Sequence, residues 1–443
     1  MLRFIPLLFL IICSQPGKAQ EKKPTPQLLI QPDSSLYHQP LHIKVQSFPA
    51  NQEIKITLKA KDARGSQWKS EAIYRSNPQG IIDLSKDKSL AGSYRGIHPM
   101  GLFWSLQSPD YHQFTTNKGF WAEFEIYQQD NLLSRKKVFR ESTRSLNALN
   151  INYIQKRDSI IADFYLPDTC QNCPAIIFLG GSGGGFRQER ASLLASEGYA
   201  VLNLKYFRHE SLPDGIVEIP LEYVHKAYQW LQQEKGVAPN KIGIMGRSRG
   251  SELAMLYAIY FSGLSYVVAE VPSSVVWFGW AENKSSWSYQ GKPFPYAEYS
   301  DEASTRIELG QQQRGEQFRE MPKFLSAFKD TAMIKRTRIP IEKLSCPVLF
   351  ISGEDDQTWP SAMMAEMMME SLRKNNFSYP YQHFSYPEAG HNFAGGGQGC
   401  GIPYLPPEDY SQSSARGGSD KGNALAAIQS WKVILDFVQK SSQ

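Results

Sequence analysis

From about Leu146 onwards, fully apolar strand-length runs alternate with longer stretches of helical period. The runs PAIIFLGG, YAVLNLKYF, KIGIMG, YVVAEVP and CPVLFISG predict strands, and RQERASLLASEG, PLEYVHKAYQWLQQE and NALAAIQSWKVILDFVQK are among the segments that predict helices. Strands that are apolar on both sides are typical of a parallel sheet with helices on both faces. We therefore expect an α/β domain over residues 146–440.

The preceding part of the chain, residues 27–143, has a different pattern. Short runs such as LHIKVQSF, EIKITLKAKD and GFWAEFEIYQQD alternate apolar and polar positions and are separated by turn residues. This period of two predicts an all-β, immunoglobulin-like sandwich, most simply of seven strands. The stretch LAGSYRGIHPMGLFWSLQ does not follow the strand pattern and predicts a glycine-rich, aromatic loop that contacts the second domain. A chain of 443 residues is long enough for two domains.

The first 19 residues have the pattern of a secretory signal peptide. Arg3 precedes an apolar run from Phe4 to Cys13, and the small-x-small triplet 17–19 predicts cleavage after Ala19. The run is too short to span a bilayer, so we expect export to the periplasm or the medium without an integral membrane span. A buried strand or a lipid anchor on Cys13 are the alternatives, and the bulky residue before Cys13 disfavours the anchor.

Composition and cysteine spacing exclude some functions. The net charge of +5 is small for this length, and the chain contains no dense Lys/Arg run of the kind that binds nucleic acid.

Cys170 and Cys173 lie between two predicted strands, with no second CxxC or histidine pair to complete a zinc site. We expect a small disulfide across a surface loop in an oxidising compartment, and neither a metal centre nor a cofactor. Cys346 is expected in the core, and Cys400 has no assignment.

The motif Gly246-Arg247-Ser248-Arg249-Gly250 lies between a predicted strand and a predicted helix. This is the sequence form of a nucleophile elbow, in which glycines permit a tight turn and the serine oxygen projects above the sheet. The five-residue match alone is a weak signal, and its position between strand and helix strengthens it. The alternative is a serine between two arginines without a chemical role.

A nucleophilic serine needs a base, and the base needs a third group to orient it. In α/β-hydrolases the chain order is serine, acid, histidine. Here FISGEDDQTWP supplies an acid after a strand, and SYPEAGHNF supplies His391 after the next one. His383 lies within a predicted strand and is expected to be structural. Asp355 and Asp356 share the acid loop, and the spacing from Gly353 favours Asp356. The alternative for both is a solvated acidic turn before a helix.

A tetrahedral intermediate needs two N–H donors. The amide of Arg249, directly after the serine, is one candidate; the glycine-rich loop in IIFLGGSGGGFRQER offers Gly181 and Ser182 for the second. The same loop lacks the G-x-G-x-x-G spacing of a dinucleotide site.

Residues 273–342 interrupt the α/β alternation and, because of their length, should carry their own structure, as a cap over the site or a surface insertion.

Together these segments resemble the family of acyl-CoA thioesterases and bile acid-CoA:amino acid N-acyltransferases. The likeness spans GSYRGIHPMGLFWSLQ in the first domain and GGSGGGFRQERASLLASEGYAVLNLKYF, GIMGRSRGSELAM, IPIEKLSCPVLFISGEDDQTWPS and YPEAGH in the second. It implies a β-sandwich before an α/β-hydrolase domain, with Ser248, Asp356 and His391 as the triad. Acyltransferase members carry a cysteine nucleophile, so the serine favours a thioesterase. Gln357 departs from the family, since many members have histidine there.

Three functions stay open on the sequence. The first is hydrolysis of acyl thioesters, and the second is a secreted carboxylesterase or acyltransferase acting on oxygen esters or amines with the same triad. The third is a non-catalytic binding protein. Export conflicts with coenzyme A as a carrier, because that carrier is scarce outside the cell. The substrate is expected to be a small acyl thioester or ester, and the oligomeric state is left open.

Overall fold

A computed structural model describes residues 25–110, 114–143, 145–146, 149–393, 403–406 and 415–443. The predicted signal peptide, with Cys13, and also Cys400 lie outside the described residues. Within the described ranges, every helix is too short or too polar to cross a bilayer.

The N-terminal domain consists of two sheets whose inner faces share one apolar core. In β5 every second residue is buried, as the period of two predicts. The three-stranded sheet has the order β1-β3-β6 and the six-stranded sheet β2-β9-β8-β4-β5-β7. Its elements are β1 Gln27–Gln31, β2 Ser34–Leu36, β3 His42–Gln46, β4 Glu53–Lys61, β5 Gln67–Arg75, β6 Ile82–Asp83, β7 Ala91–Gly92, α1 Gly101–Trp104, β8 Gly119–Gln128 and β9 Asn131–Glu141.

The expected number of seven strands was wrong, since the described part of this domain contains nine. Strands β2, β6 and β7 are only two or three residues long, too short for a period of two to be visible in the sequence.

The second domain is built on an eight-stranded sheet of order β10-β11-β13-β12-β15-β16-β19-β20, which confirms the expected α/β fold. The pairs β10/β11 and β11/β13 are antiparallel, and the remaining pairs are parallel. The strands of this domain are β10 Ile151–Arg157, β11 Ile161–Pro167, β12 Cys173–Leu179, β13 Ala200–Lys205, β14 Ile219–Pro220, β15 Val237–Arg247, β16 Val267–Glu270, β17 Trp287–Tyr289, β18 Lys292–Pro293, β19 Val348–Gly353 and β20 Tyr381–Tyr386.

Helices cover both faces of this sheet. Alternate residues of β12 belong to different apolar cores. Ile176 and Phe178 share a core with residues of α2 and α9, whereas Ile177 and Leu179 share one with residues of α3, α4 and α8. The helices are α2 Gln188–Ser196, α3 Leu221–Gln233, α4 Arg249–Tyr260, α5 Asp301–Gln313, α6 Met321–Ala327, α7 Thr331–Thr337, α8 Ser361–Lys374 and α9 Asp420–Ser441, with a 3-10 helix at Ile341–Lys343. Burial on both faces explains why these strands are apolar throughout.

Residues 273–342 carry their own structure, as their length predicts. Strands β17 and β18 form a small sheet with β14, and α5, α6 and α7 follow. A separate apolar cluster holds this insertion against the second domain through Trp359 and Met364; its other buried members are Val275, Trp277, Ala297, Phe324, Ala327 and Met333. The insertion therefore packs beside the loop that follows β19.

The segment predicted as a glycine-rich loop contains the buried helix α1 and does contact the second domain. Gly101 lies against Tyr94, where a Cβ would come within 2.3 Å of the ring. Helix α1 contacts α9. Burial lowers the pKa of His98, and the charge of Lys421 on α9 lowers it further. The loop prediction failed here because four helical residues are too few to show a period.

The three cysteines within the described residues lie away from the carboxyl edge of the sheet. Cys170 and Cys173 form a disulfide at the loop between β11 and β12. Cys346 is a buried free thiol directly before β19, as expected for a core residue.

Candidate active site

Ser248 lies at a sharp turn between β15 and α4. Its backbone has φ 54° and ψ −123°, a conformation that residues other than glycine rarely adopt. A Cβ on Gly246 would come within 2.2 Å of the Gly250 carbonyl oxygen, and one on Gly250 within 2.4 Å of the Gly180 carbonyl oxygen. Both glycines of the motif are therefore required by the backbone, and the turn stores strain of the kind found at functional sites.

Ser248, His391 and Asp356 form a connected triad. Nε2 of His391 lies 3.0 Å from Oγ of Ser248, and Nδ1 lies 2.9 Å from Oδ2 of Asp356. Each of the three residues is 4% exposed. The three residues follow β15, β19 and β20, whose carboxyl ends meet at one edge of the parallel sheet. The order and spacing thus place nucleophile, base and acid in the geometry that nucleophilic catalysis needs.

Asp356 is fixed by its own loop. Its Oδ1 accepts the backbone N–H groups of Thr358 and Trp359, at 3.0 and 3.2 Å. Its Oδ2 accepts the hydroxyl of Ser361, the first residue of α8, at 2.6 Å. These donors fix the orientation of the buried carboxyl group. The carboxylate can therefore hold Nδ1 of His391 in its protonated form.

Asp355 has a different task. Its carboxylate accepts the side-chain amide of Gln357 at 2.5 Å and the backbone N–H of Gly418 at 2.7 Å. It binds the acid loop to the segment before α9, while Asp356 alone of the two contacts His391. The side chain of Gln357 thus contacts Asp355 rather than the triad.

The surroundings of His391 favour its neutral form. Burial lowers the pKa of this imidazole from 6.5, and the charge and hydrogen bond of Asp356 oppose the shift. The charges of Arg247 and Arg416 lower the pKa further. The ring of Trp359 packs edge-on against the imidazole, with centroids 5.8 Å apart. A neutral imidazole at neutral pH can accept the proton of Ser248.

The first arginine of the motif, Arg247, connects the nucleophile turn to the histidine loop. Its Nη2 donates to the carbonyl oxygen of His391 at 2.8 Å and to Oδ1 of Asn392 at 3.1 Å. The charge of Arg247 also acts on Glu270, a fully buried carboxylate at the end of β16 that pairs with Arg190 at 2.8 Å. A buried charge network therefore lies directly beneath the triad.

The second arginine, Arg249, faces the insertion. It pairs with the buried Glu252 at 2.9 Å and donates to the carbonyl oxygen of Phe278 at 2.7 Å and to the hydroxyl of Ser286. Burial raises the pKa of Glu252, and Arg249 opposes that shift. The guanidinium groups of both Arg247 and Arg249 therefore bind partners inside the protein.

The proposed oxyanion donors lie on two loops beside Ser248. A Cβ on Gly181 would come within 3.1 Å of Cβ of Ser248, so the glycine-rich loop touches the nucleophile. Tyr206 holds this loop by donating to the carbonyl oxygen of Gly180 at 2.6 Å. Ser182 follows on the exposed side of the loop. Arg249 opens α4, so its N–H has no partner within the helix. The assignment of donors stays a prediction.

Sequence reasoning missed Glu252, Glu270, Arg190, Trp359 and Tyr206, which position the triad and its loops. None belongs to a short motif. The signal that could have found the two glutamates is a charged residue inside an otherwise apolar strand or helix, since such residues are rarely buried without a partner.

Two protein-family descriptions match this chain. Residues 219–443 match the family description "BAAT / Acyl-CoA thioester hydrolase C terminal". The chain belongs to this family. Residues 38–149 match "Acyl-CoA thioester hydrolase/BAAT N-terminal region", so the family's two parts occur here in the same order.

Relatives from both branches of the family cover nearly the whole chain. A bile acid-CoA:amino acid N-acyltransferase of Mus musculus is 30% identical over 428 residues, 92% of this chain and 96% of the relative. An acyl-coenzyme A thioesterase 1 of Mus musculus is 27% identical over 426 residues, 92% of this chain and 94% of the relative. A solved α/β hydrolase from a deep-sea metagenome library superposes with a TM-score of 0.39 at 16% identity, over 66% of this chain and 98% of its own.

Proposed function

We propose that this chain is a serine hydrolase that cleaves acyl thioesters of coenzyme A. The observation that carries the proposal is the connected set Ser248, His391 and Asp356, with the serine on a strained turn. Membership of the acyl-CoA thioester hydrolase family supports the substrate class.

In the proposed mechanism, Nε2 of His391 takes the Ser248 proton as the serine oxygen attacks the acyl carbonyl carbon. The oxyanion accepts hydrogen bonds from the backbone N–H of Arg249 and from that of Gly181 or Ser182. The imidazolium, held by Asp356, then protonates the leaving sulfur, so the thiol departs and an acyl-serine ester remains. His391 next removes a proton from water, whose oxygen attacks the ester, and the proton returns to Ser248 as the carboxylic acid leaves.

The nucleophile favours hydrolysis over transfer to an amine. A cysteine would leave a thioester intermediate, which amines attack readily. Ser248 leaves an oxygen ester, which is less reactive towards amines and depends more strongly on a base-activated attacker. Water activated by the neutral imidazole of His391 meets that need.

The test compares an acyl-CoA with a simple oxygen ester of the same acyl chain, using purified protein that starts at Gln20. We expect the higher kcat/KM for the thioester, and free fatty acid rather than N-acylglycine when glycine is added. N-acylglycine as the main product would establish the transferase, and activity on neither substrate would overturn the proposal.

A second candidate, a carboxylesterase acting outside the cytoplasm, is favoured by the N-terminal pattern. We propose that residues 1–19 direct export, supported by Arg3, the apolar run and Ala19. The disulfide of Cys170 and Cys173 fits an oxidising compartment.

The N-terminus of the protein recovered from its natural host tests the export proposal. A chain that begins at Gln20 is expected, and an intact Met1 would contradict export. A preference for the oxygen ester in the substrate comparison would then select the carboxylesterase.

A further inference from the structure

A small cavity lies in the insertion, between α5 and the segment that leads to α6. Its volume is about 270 Å³. The wall contains Arg306, Ile307, Gly310, Gln311, Arg314, Glu316, Arg319 and Pro322. Three of these side chains are cationic and one is anionic, so the cavity favours a negatively charged group.

The cavity is shaped by the spacing along α5. Arg306, Gly310 and Arg314 are four residues apart and therefore lie on one face of the helix. A Cβ on Gly310 would come within 3.2 Å of Nη1 of Arg314, so glycine keeps the space between the two arginines open. Across the cavity, the buried side chain of Gln311 holds Arg319 by its backbone N–H and carbonyl oxygen, at 2.7 and 3.1 Å.

Only part of the positive charge is neutralised. Arg314 pairs with Glu316 at 2.7 Å, and Arg319 adds to the lowering of the pKa of Glu316. Within the described ranges, neither Arg306 nor Arg319 makes a salt bridge through its guanidinium, and both are exposed. Two guanidinium groups are therefore available to a ligand. Guanidinium groups are well suited to phosphate, which they bind with paired N–H donors.

The cavity is connected to the triad by a short path. The carbonyl oxygen of Phe318, next to Arg319, accepts the N–H of Ala415 at 2.8 Å, and the following carbonyl, of Arg416, accepts the N–H of His391 at 2.8 Å. One residue step and two hydrogen bonds thus separate the main chains of Phe318 and His391, a distance within roughly 15 Å. The extended pantetheine arm of coenzyme A spans a length of the same order as this separation of the two main chains.

We propose that Arg306 and Arg319 bind phosphate groups of the acyl carrier while its thioester lies at Ser248. This inference rests on the proposed thioesterase function and adds to it a second contact, remote from the reacting atoms. The interaction is made equally before and during the reaction, so it lowers KM and leaves kcat unchanged. Because the site is exposed, salt screens it.

The test uses the double variant Arg306→Gln/Arg319→Gln with two thioesters of one acyl chain, acyl-CoA and acyl-pantetheine, which lacks phosphate. For acyl-CoA we expect KM to rise about tenfold at low salt, with kcat unchanged. For acyl-pantetheine both constants should equal those of the wild type. Acyl-3′-dephospho-CoA then separates the 3′-phosphate from the diphosphate. The matched control is Arg373→Gln, which replaces an exposed arginine that pairs with Glu366 on α8. It should change neither KM nor kcat for either thioester.

An unchanged KM for acyl-CoA in the double variant, or an equal rise for both thioesters, would overturn the phosphate site while the thioesterase proposal stands. A wild-type enzyme that cleaves neither thioester would overturn both. The dissociation constant of free coenzyme A, measured by calorimetry, is the second readout and should weaken by a similar factor in the double variant.

Discussion

The guanidinium of Arg247 donates a 2.8 Å hydrogen bond to the carbonyl oxygen of His391. The residue before Ser248 therefore holds the loop of His391, the proposed general base. The contact connects the end of β15 with the loop after β20, 144 residues apart in the chain, and both partners are buried. Arg247 acts through His391 rather than on the substrate, so it is a positioning residue.

Replacing Arg247 by Met should lower kcat about tenfold with little change in KM, because a hydrogen bond to a charged donor is lost and the histidine loop loosens. Glu270 also loses one of its two cationic neighbours, so Tm should fall. Arg247→Lys should recover part of kcat because it keeps the charge. Steady-state kinetics well below Tm test this; a rise in KM at constant kcat would show that Arg247 binds substrate instead.

The paired acids should respond very differently to the same substitution. Asp356→Asn leaves a buried amide that favours the wrong tautomer of His391, and we expect kcat to fall about 10⁴-fold. Asp355→Asn only weakens contacts to Gln357 and Gly418 and should cost far less. Kinetics of both purified variants decide the matter. A larger loss of kcat for Asp355→Asn would contradict the assignment of Asp356 as the acid of the triad.

The pH dependence of kcat/KM should reflect His391. The neutral imidazole is the active form, and its pKa lies below 6.5, so activity should fall only as the pH drops through that lowered value. Arg416→Gln removes a positive charge that lowers this pKa, and the acid limb should move upwards in pH. A rate profile from pH 4 to 9 for both proteins measures the shift. An acid limb above pH 6.5 in the wild type, or a downward shift in the variant, would contradict the assignment.

The glycines of the elbow should tolerate no side chain. Gly246→Ala and Gly250→Ala place a Cβ against backbone atoms that cannot rotate away, so we expect a large fall in Tm or insoluble protein. Gly185→Ala is the control for stability, since a Cβ there meets no atom within 4 Å. Thermal unfolding of the three variants checks the expectation. A wild-type Tm for Gly250→Ala would mean that the turn relaxes more easily than its contacts indicate.

Short-range patterns were sufficient for most of the fold. Strand β15 and helix α4 could be predicted because hydrophobic period and the G-x-S-x-G motif depend on neighbouring residues. Strand β10 escaped prediction because it is an edge strand, exposed at most positions and without an apolar run.

The proposed triad could be predicted because its three members follow the carboxyl ends of β15, β19 and β20, which meet at one edge of the parallel sheet. Contacts between distant segments could not be predicted. The pairs Arg190–Glu270 and Arg247–His391 depend on how loops pack across the edge of the sheet, which no local period encodes.

The central claim, that Ser248 is a nucleophile activated by His391 on acyl thioesters, is tested most directly by a fluorophosphonate probe. Tandem mass spectrometry of the digested protein should locate a single adduct on Ser248. The adduct should be absent in Ser248→Ala, form much more slowly in His391→Ala, and be suppressed in the wild type by an acyl-CoA. An unmodified Ser248 in folded wild-type protein, or labelling that acyl-CoA does not slow, would contradict the claim.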